Sequence, residues 1–162
     1  MKTTLAAAFL WLAFVAPGFA DDNADEMKRL QGRFERAFTN AAGTTFRVIK
    51  DVTGDQSVVT TYDDVGNVVE AHTATFKVEK RGPVKVLSYF NFIVTAGPQK
   101  GVVDFATRSY IYRVDGDTIG EAWGLLEGDD SPPRMFYWQR VKPPEAGGGR
   151  QASSQPPEKT SQ

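Results

Sequence analysis

The chain of 162 residues contains no cysteine and only one histidine, His72. Disulfide scaffolds, thiolate metal sites and cysteine nucleophiles are therefore excluded. A lone histidine also rules out an HExxH zinc site, a zinc finger and any multi-histidine cage built from this chain alone, so no metal and no cofactor is expected. Charge of one sign is equally scarce, with 19 basic against 20 acidic side chains. No bulk electrostatic pull toward nucleic acid or anionic lipid follows from that balance. What is present is a 41 % share of hydrophobic residues, enough for the core of one soluble domain.

Lys2 is followed by an apolar run from Leu5 to Ala16 and then by Pro17, Gly18, Phe19 and Ala20, the pattern of a secretory signal peptide over residues 1–20. Small residues at Gly18 and Ala20 suit cleavage before Asp21, and the run is too short to span a bilayer comfortably. Without a cysteine to carry a lipid, the mature chain is expected to leave the membrane and to be secreted or periplasmic. Lys2 is the only charged residue removed, which leaves 18 basic and 20 acidic side chains and a net charge of −2.

Residues 143–162, PPEAGGGRQASSQPPEKTSQ, contain no aromatic, branched aliphatic or methionine side chain. Such a segment cannot bury a core and reads as a disordered tail. The domain is thereby confined to residues 21–142.

Asn23-Ala-Asp-Glu26 has the N-cap and N3 pattern of a capping box, and Met27 and Leu30 share one helical face. A short N-terminal helix is expected there. Beyond Gly32 the period drops to two, as in Val68, Ala74, Phe76 and Val78 against Thr73, Thr75, Lys77 and Glu79. Turn signals recur at short intervals, among them Gly43, Gly54, Gly66, Gly82, Gly97-Pro98, Gly116 and Gly128. The spacing predicts strands at Gln31–Phe38, Thr45–Val52, Ser57–Tyr62, Val68–Glu79, Val84–Thr95, Ser109–Val114, Thr118–Leu125 and Arg134–Val141. No interval has room for a crossover helix. The expected fold is mainly β: a single antiparallel up-and-down β-barrel of about 8–9 strands, closed because closure removes exposed edges.

Val84–Thr95 is apolar on its even face and partly apolar on its odd face, through Leu87, Tyr89 and Ile93. A homodimer or the leading helix would cover a second apolar face, and scattered exposed apolar residues are the plain alternative.

Three segments carry a resemblance: Leu30-Gln-Gly-Arg-Phe34, Thr95-Ala-Gly-Pro-Gln-Lys-Gly101 and Tyr110-Ile-Tyr-Arg-Val-Asp-Gly-Asp-Thr-Ile119. In order and spacing, together with the closing Trp138-Gln-Arg-Val-Lys142, they resemble the lipocalin-like domain of small secreted planctomycete proteins. The resemblance implies a calycin-like barrel and no particular activity. It also implies a structural pairing of a first-strand tryptophan with a last-strand basic residue. Phenylalanine stands at the tryptophan position here. Gly32, Phe34 and Arg140 become the candidates for barrel closure, with the Arg140 guanidinium on the Phe34 ring.

An eight-stranded barrel is the smallest that holds one small ligand, provided its own side chains do not fill it. Candidate lining residues are His72, Phe76, Phe90, Phe92, Tyr110, Tyr112 and Trp123, a set able either to line a pocket or to plug it. His72 shares the parity of Ala74 and Phe76. An inward imidazole could ligate haem iron, orient a polar ligand head or titrate near neutral pH, and the plainer reading is a hydrogen bond to Glu70 or Tyr62.

Catalytic patterns are missing: there is no GxSxG elbow, and Asp63-Asp64, Asp115-Gly-Asp117 and Asp129-Asp130 fall in turns, where aspartate caps the backbone. The sequence therefore points to an exported, non-enzymatic barrel that binds a small apolar or amphipathic ligand. The alternative is a filled barrel acting as a structural or protein-interaction module of the cell envelope.

Overall fold

Alternating apolar residues commit most of the chain to strands, and the computed structural model describes residues 21–126 and 132–142. Helix α1 (Asp21–Leu30) leads into β1 (Gly32–Thr39), β2 (Thr45–Thr53), β3 (Gln56–Tyr62), β4 (Val68–Arg81) and β5 (Val84–Ala96). There follow β6 (Val103–Asp104), β7 (Arg108–Asp115), β8 (Thr118–Trp123) and β9 (Arg134–Arg140). The expected leader 1–20, the Gly128-Asp129-Asp130 turn and the expected tail 143–162 lie outside the described residues.

The strands form one antiparallel sheet in which β4 pairs with β5, β5 with β7, and β9 returns to β1 through Phe34↔Arg140 and Glu35↔Gln139. Eight strands thus close a barrel. The short β6 is an annex on the far end of β5, paired at Phe92↔Asp104 and Ile93↔Val103. Two residues show no alternation, so nothing in the local sequence announces β6. Each of the eight expected strands has its counterpart with ends that coincide or differ by at most two residues. The capping-box expectation is corrected: α1 already starts at Asp21, which places Asn23 inside the helix.

Helix α1 closes one end of the barrel. Leu30 is 2 % exposed and joins Phe34, Val52, Phe76, Leu87 and Ile119 in the central apolar cluster, with Met27 packed against it. Burying each such side chain contributes about 1.5–3 kcal/mol, so the helix face is held mainly by packing. Polar ties fix its orientation. Arg29 Nη2 donates to the Val114 carbonyl at 3.0 Å, Tyr112 donates its hydroxyl proton to Glu26 at 3.1 Å, and Lys85 donates to the same carboxylate. Gln31 Nε2 donates to the Met27 and Gly54 carbonyls, while Gly54 N–H donates back to Gln31 Oε1 at 2.7 Å.

The closure candidates lie at this end. Arg140 Cζ sits 4.4 Å from the centre of the Phe34 ring, and its Nη1 and Nη2 donate to the carbonyls of Gln31 and Arg29. Gly32 has φ +111°, and a Cβ there would come within 2.9 Å of Arg140 Nη1. Both the backbone conformation and the space beside the guanidinium call for glycine. Asp117 of the DGD turn contributes as well, since it pairs with Lys142 at 3.1 Å and lies 3.6 Å from Arg140 Nε.

Irregularities in β4 and β5 decide which of their side chains face inward. The register shifts between Ala71 and His72 and again between Thr73 and Thr75, and opposite them Asn91 takes φ 55°, the single non-glycine positive φ among the described residues. This bulge turns both Tyr89 and Phe92 toward the interior, three positions apart instead of two or four.

Candidate functional site

The barrel interior is divided into a filled lower half and a cup at the open end. Near α1, Leu30, Val52, Phe76, Leu87 and Ile119 leave a gap of only about 10 Å³. Above it lies a cup of about 120 Å³ between Arg36, Lys50, His72, Phe92, Arg108 and Trp123, with Ser57, Val59, Tyr89, Tyr110, Glu121 and Trp138 completing the wall. The sequence left open whether the interior is filled or hollow; the structure shows it filled below and hollow above.

The expected pocket residues divide accordingly. His72, Phe92, Tyr110 and Trp123 come together in the cup. Phe76 belongs to the filled half, and Tyr112 is buried with its hydroxyl committed to Glu26 of α1. Phe90 departs from expectation: it is half-buried, pairs with Thr75, and lies on the strand face opposite Tyr89, so it does not line the cup. The bulge at Asn91 changes the parity that placed Phe90 and Phe92 on one face.

At the floor of the cup is a buried polar cluster that sequence reading missed. Lys50 Nζ donates to Glu121 Oε1 at 2.6 Å, with both side chains at most 5 % exposed. The Tyr89 hydroxyl donates to the same oxygen at 3.2 Å, Lys50 Nζ donates to the Tyr89 oxygen at 3.3 Å, and Trp138 Nε1 donates to Glu121 Oε2 at 3.0 Å. The Lys50 ammonium also lies 4.1 Å from the centre of the Trp138 ring. Burial alone would push the Glu121 carboxyl up, but the Lys50 charge and the three hydrogen bonds outweigh it and hold the group below its ordinary value. Glu121 is thus an ionised, fully engaged carboxylate. The Lys50 pKa is lowered too: burial outweighs the opposing charge and hydrogen bond of Glu121, and Arg36 adds to the lowering. Burial, followed by the Glu121 charge, raises Tyr89 well above its ordinary range, so it remains a donor.

Arg36 is placed differently. Its guanidinium carbon lies 4.6 Å from the Phe136 ring centre, 4.8 Å from that of Trp138 and 5.5 Å from that of Phe38. Its Nε is buried and has no hydrogen-bond partner among the described residues, and the same holds for Ser57 Oγ and Trp123 Nε1. Burial lowers the Arg36 pKa, against the pull of Glu121. Arg108, at the rim, covers the Phe92 ring at 4.6 Å and is paired with Asp104 of β6. Trp123 stacks on Tyr110 at 4.5 Å and 12° and meets Phe136 edge-on.

His72 packs against Phe92 at 5.8 Å, and burial lowers its pKa, against the pull of Glu70. Its imidazole is therefore neutral at pH 7. Among the described residues no group of three His, Asp or Glu side chains converges in the manner of a metal site.

A signal for the missed charges exists in the strand alternation. Arg36 lies between Phe34 and Phe38, Lys50 between Val48 and Val52, and Glu121 between Ile119 and Trp123, each with the inward parity of its neighbours. A charged residue at an inward position of a strand is the pattern to look for.

Comparison with known proteins gives no match to a family model, to a curated protein or to a solved structure. The functional reading therefore rests on the site itself.

Proposed function

We propose that this protein is an exported, non-catalytic barrel of the lipocalin-like kind that binds one small amphipathic molecule in the cup above Lys50 and Glu121. The observation that carries the reading is the combination of a cavity of about 120 Å³ walled by aromatic rings with three buried polar atoms, on Arg36, Ser57 and Trp123, that no group among the described residues satisfies. Buried polar atoms ordinarily have partners, and a ligand entering from the open end would supply them. Size sets the class of ligand, since an apolar cavity of about 150 Å³ accommodates benzene. The cup at about 120 Å³ is somewhat smaller, so it seats no more than one ring or a short chain, and anything longer would have to project from the mouth.

Binding without chemistry is supported by the state of the carboxylate. Both Glu121 oxygens are taken by donors, which leaves Glu121 poorly placed as a proton acceptor. Export is supported by the leader pattern of residues 1–20, and lipocalin-like kinship by the order of the LQGRF, GPQKG and IYRVDGDTI segments on a closed eight-stranded barrel.

The test is a ligand survey on the purified full chain, using thermal shift and the fluorescence of Trp123 and Trp138 with single-ring amphiphiles such as 2-phenylethanol and indole. Saturable shifts are expected. If none of the probes moves either signal and denatured protein releases no small molecule, the binding reading fails. A second reading, a module that docks another protein, is favoured by the exposed apolar run around β6, where Val102, Val103 and Phe105 are 51 %, 45 % and 77 % exposed. It predicts concentration-dependent self-association or partner capture that Phe105→Ser abolishes.

A further inference from the structure

We propose that the molecule taken by the cup is a small organic anion, a carboxylate carrying one aromatic ring or an equally short apolar chain, whose head group pairs with Arg36. This deepens the binding reading above and rests on it.

The charge pattern of the lining leads there. Four lining side chains carry full charge: Arg36, Lys50 and Arg108 are cationic and Glu121 is anionic. Lys50 and Glu121 neutralise one another at 2.6 Å, and Arg108 has Asp104 as its partner at the rim. His72 adds no charge at neutral pH. Among the described residues the remaining cation is Arg36, half-buried, with its Nε turned away from solvent and without an acceptor. Aromatic faces at 4.6 Å and 4.8 Å hold the guanidinium in place without neutralising it.

A guanidinium whose Nε is buried without an acceptor gains from one, and a carboxylate is the acceptor whose geometry matches its planar fork. Lysine would not serve equally well there, because an ammonium is more strongly hydrated and lacks the fork. Nearby, Trp123 Nε1 is a second buried donor without an acceptor, and Ser57 Oγ on the opposite wall can orient toward a polar substituent. The stacked Tyr110 and Trp123 rings offer an apolar surface for the ligand's body. A cationic ligand would meet three positive side chains against a single engaged carboxylate. A neutral amphiphile would leave Arg36 as it is, unpaired, and so would forgo the interaction the cup is best placed to make.

The experiment compares 3-phenylpropionate with 3-phenylpropionamide, two molecules of nearly the same shape that differ in charge, by calorimetric titration of the full chain at neutral pH and low salt. The acid is expected to bind at least about tenfold more tightly than the amide, the difference a charge-assisted hydrogen bond supplies. Added salt should narrow the gap. In Arg36→Gln the two ligands should bind alike, whereas Arg108→Gln, at the rim, should keep most of the preference. If the acid and the amide bind equally to the unaltered protein, the anion assignment is overturned while the cup remains a binding site. If neither binds and the neutral probes 2-phenylethanol and indole are silent too, both the assignment and the binding reading beneath it fail. The comparison in the unaltered chain decides the matter even if Arg36→Gln does not fold.

Discussion

Lys50 and Glu121, 71 residues apart in sequence, meet at 2.6 Å inside the barrel and place a fully buried ion pair at the floor of its cup. The pair is not isolated, since Tyr89 and Trp138 donate to the same carboxylate and fix its orientation. A buried pair of this kind adds little net stability relative to well-packed apolar residues, but loss of one partner strands a charge. It lies between the filled half of the interior and the open half, with both side chains lining each.

Lys50→Met should consequently destabilise the fold by about 3–5 kcal/mol, because it leaves the Glu121 carboxylate buried with only its two neutral donors. Lys50→Met combined with Glu121→Gln should recover part of that loss, as the amide still accepts from Trp138 while no charge is stranded. Urea unfolding of the two variants measures the difference. Equal stability of the single and double variants would show that the charge on Glu121 does not matter to the fold.

Acid should unfold this protein through its depressed carboxylates. The Glu26 carboxyl, like that of Glu121, sits below its ordinary value: burial pushes it up, and its hydrogen bond and charge contact with Lys85, the Tyr112 hydroxyl and Arg29 overcome that. A depressed folded pKa means stability that is present above the ordinary value near 4.5 and is lost as pH falls through the folded value. Glu26→Gln should lower stability at pH 7 and weaken the further loss between pH 5 and pH 3. Urea midpoints across that range test it, and parallel curves for variant and parent would refute the assignment.

His72 should give a second, milder slope at higher pH. Its pKa is lowered by burial, so the unfolded chain binds the proton more readily than the folded one. Stability should accordingly be complete at about pH 7.5, decline as pH drops through the unfolded value near 6.5, and level off below the folded value. His72→Gln should remove this slope and leave the steeper acid transition below it. An anion seated in the cup should oppose the slope by favouring the protonated imidazole.

Gly32→Ala should cost more than about 1 kcal/mol, since the residue holds φ +111° and the added Cβ would press on Arg140 Nη1 at 2.9 Å. Arg140→Lys should destabilise by a comparable amount, through loss of the planar contact with Phe34 and of one of the two carbonyl contacts that tie α1 to the closing strand. Thermal midpoints of both variants measure this; an unchanged Gly32→Ala protein would show that residue 32 need not be glycine, and an unchanged Arg140→Lys protein that the guanidinium contacts are not needed for closure.

Much of the fold was legible along the chain. Alternation marked eight strands because a half-buried strand must place every second side chain in the core, and glycine turns such as Gly54 and Gly116 separated them. The inward charges were legible only in part: Arg36, Lys50 and Glu121 occupy inward positions between apolar neighbours, yet single residues of this kind are easily read as exposed strand charges. Phe90 was misread because the bulge at Asn91 shifts the parity of β5, and an asparagine at positive φ leaves no mark in a hydrophobic pattern.

Composition and periodicity by themselves determined a mainly β chain without cysteine, with one short helix and an apolar core, because those properties depend on residue type and on spacing within a few neighbours. Which charges meet, which remain unpaired, and where the interior stays hollow were decided only by closure of the barrel. Closure brings β2 and β8 face to face, pairs Lys50 with Glu121 and leaves Arg36 among aromatic rings without a counter-ion among the described residues. Contacts across a barrel depend on the register of every strand between them, and no local stretch of sequence carries that information.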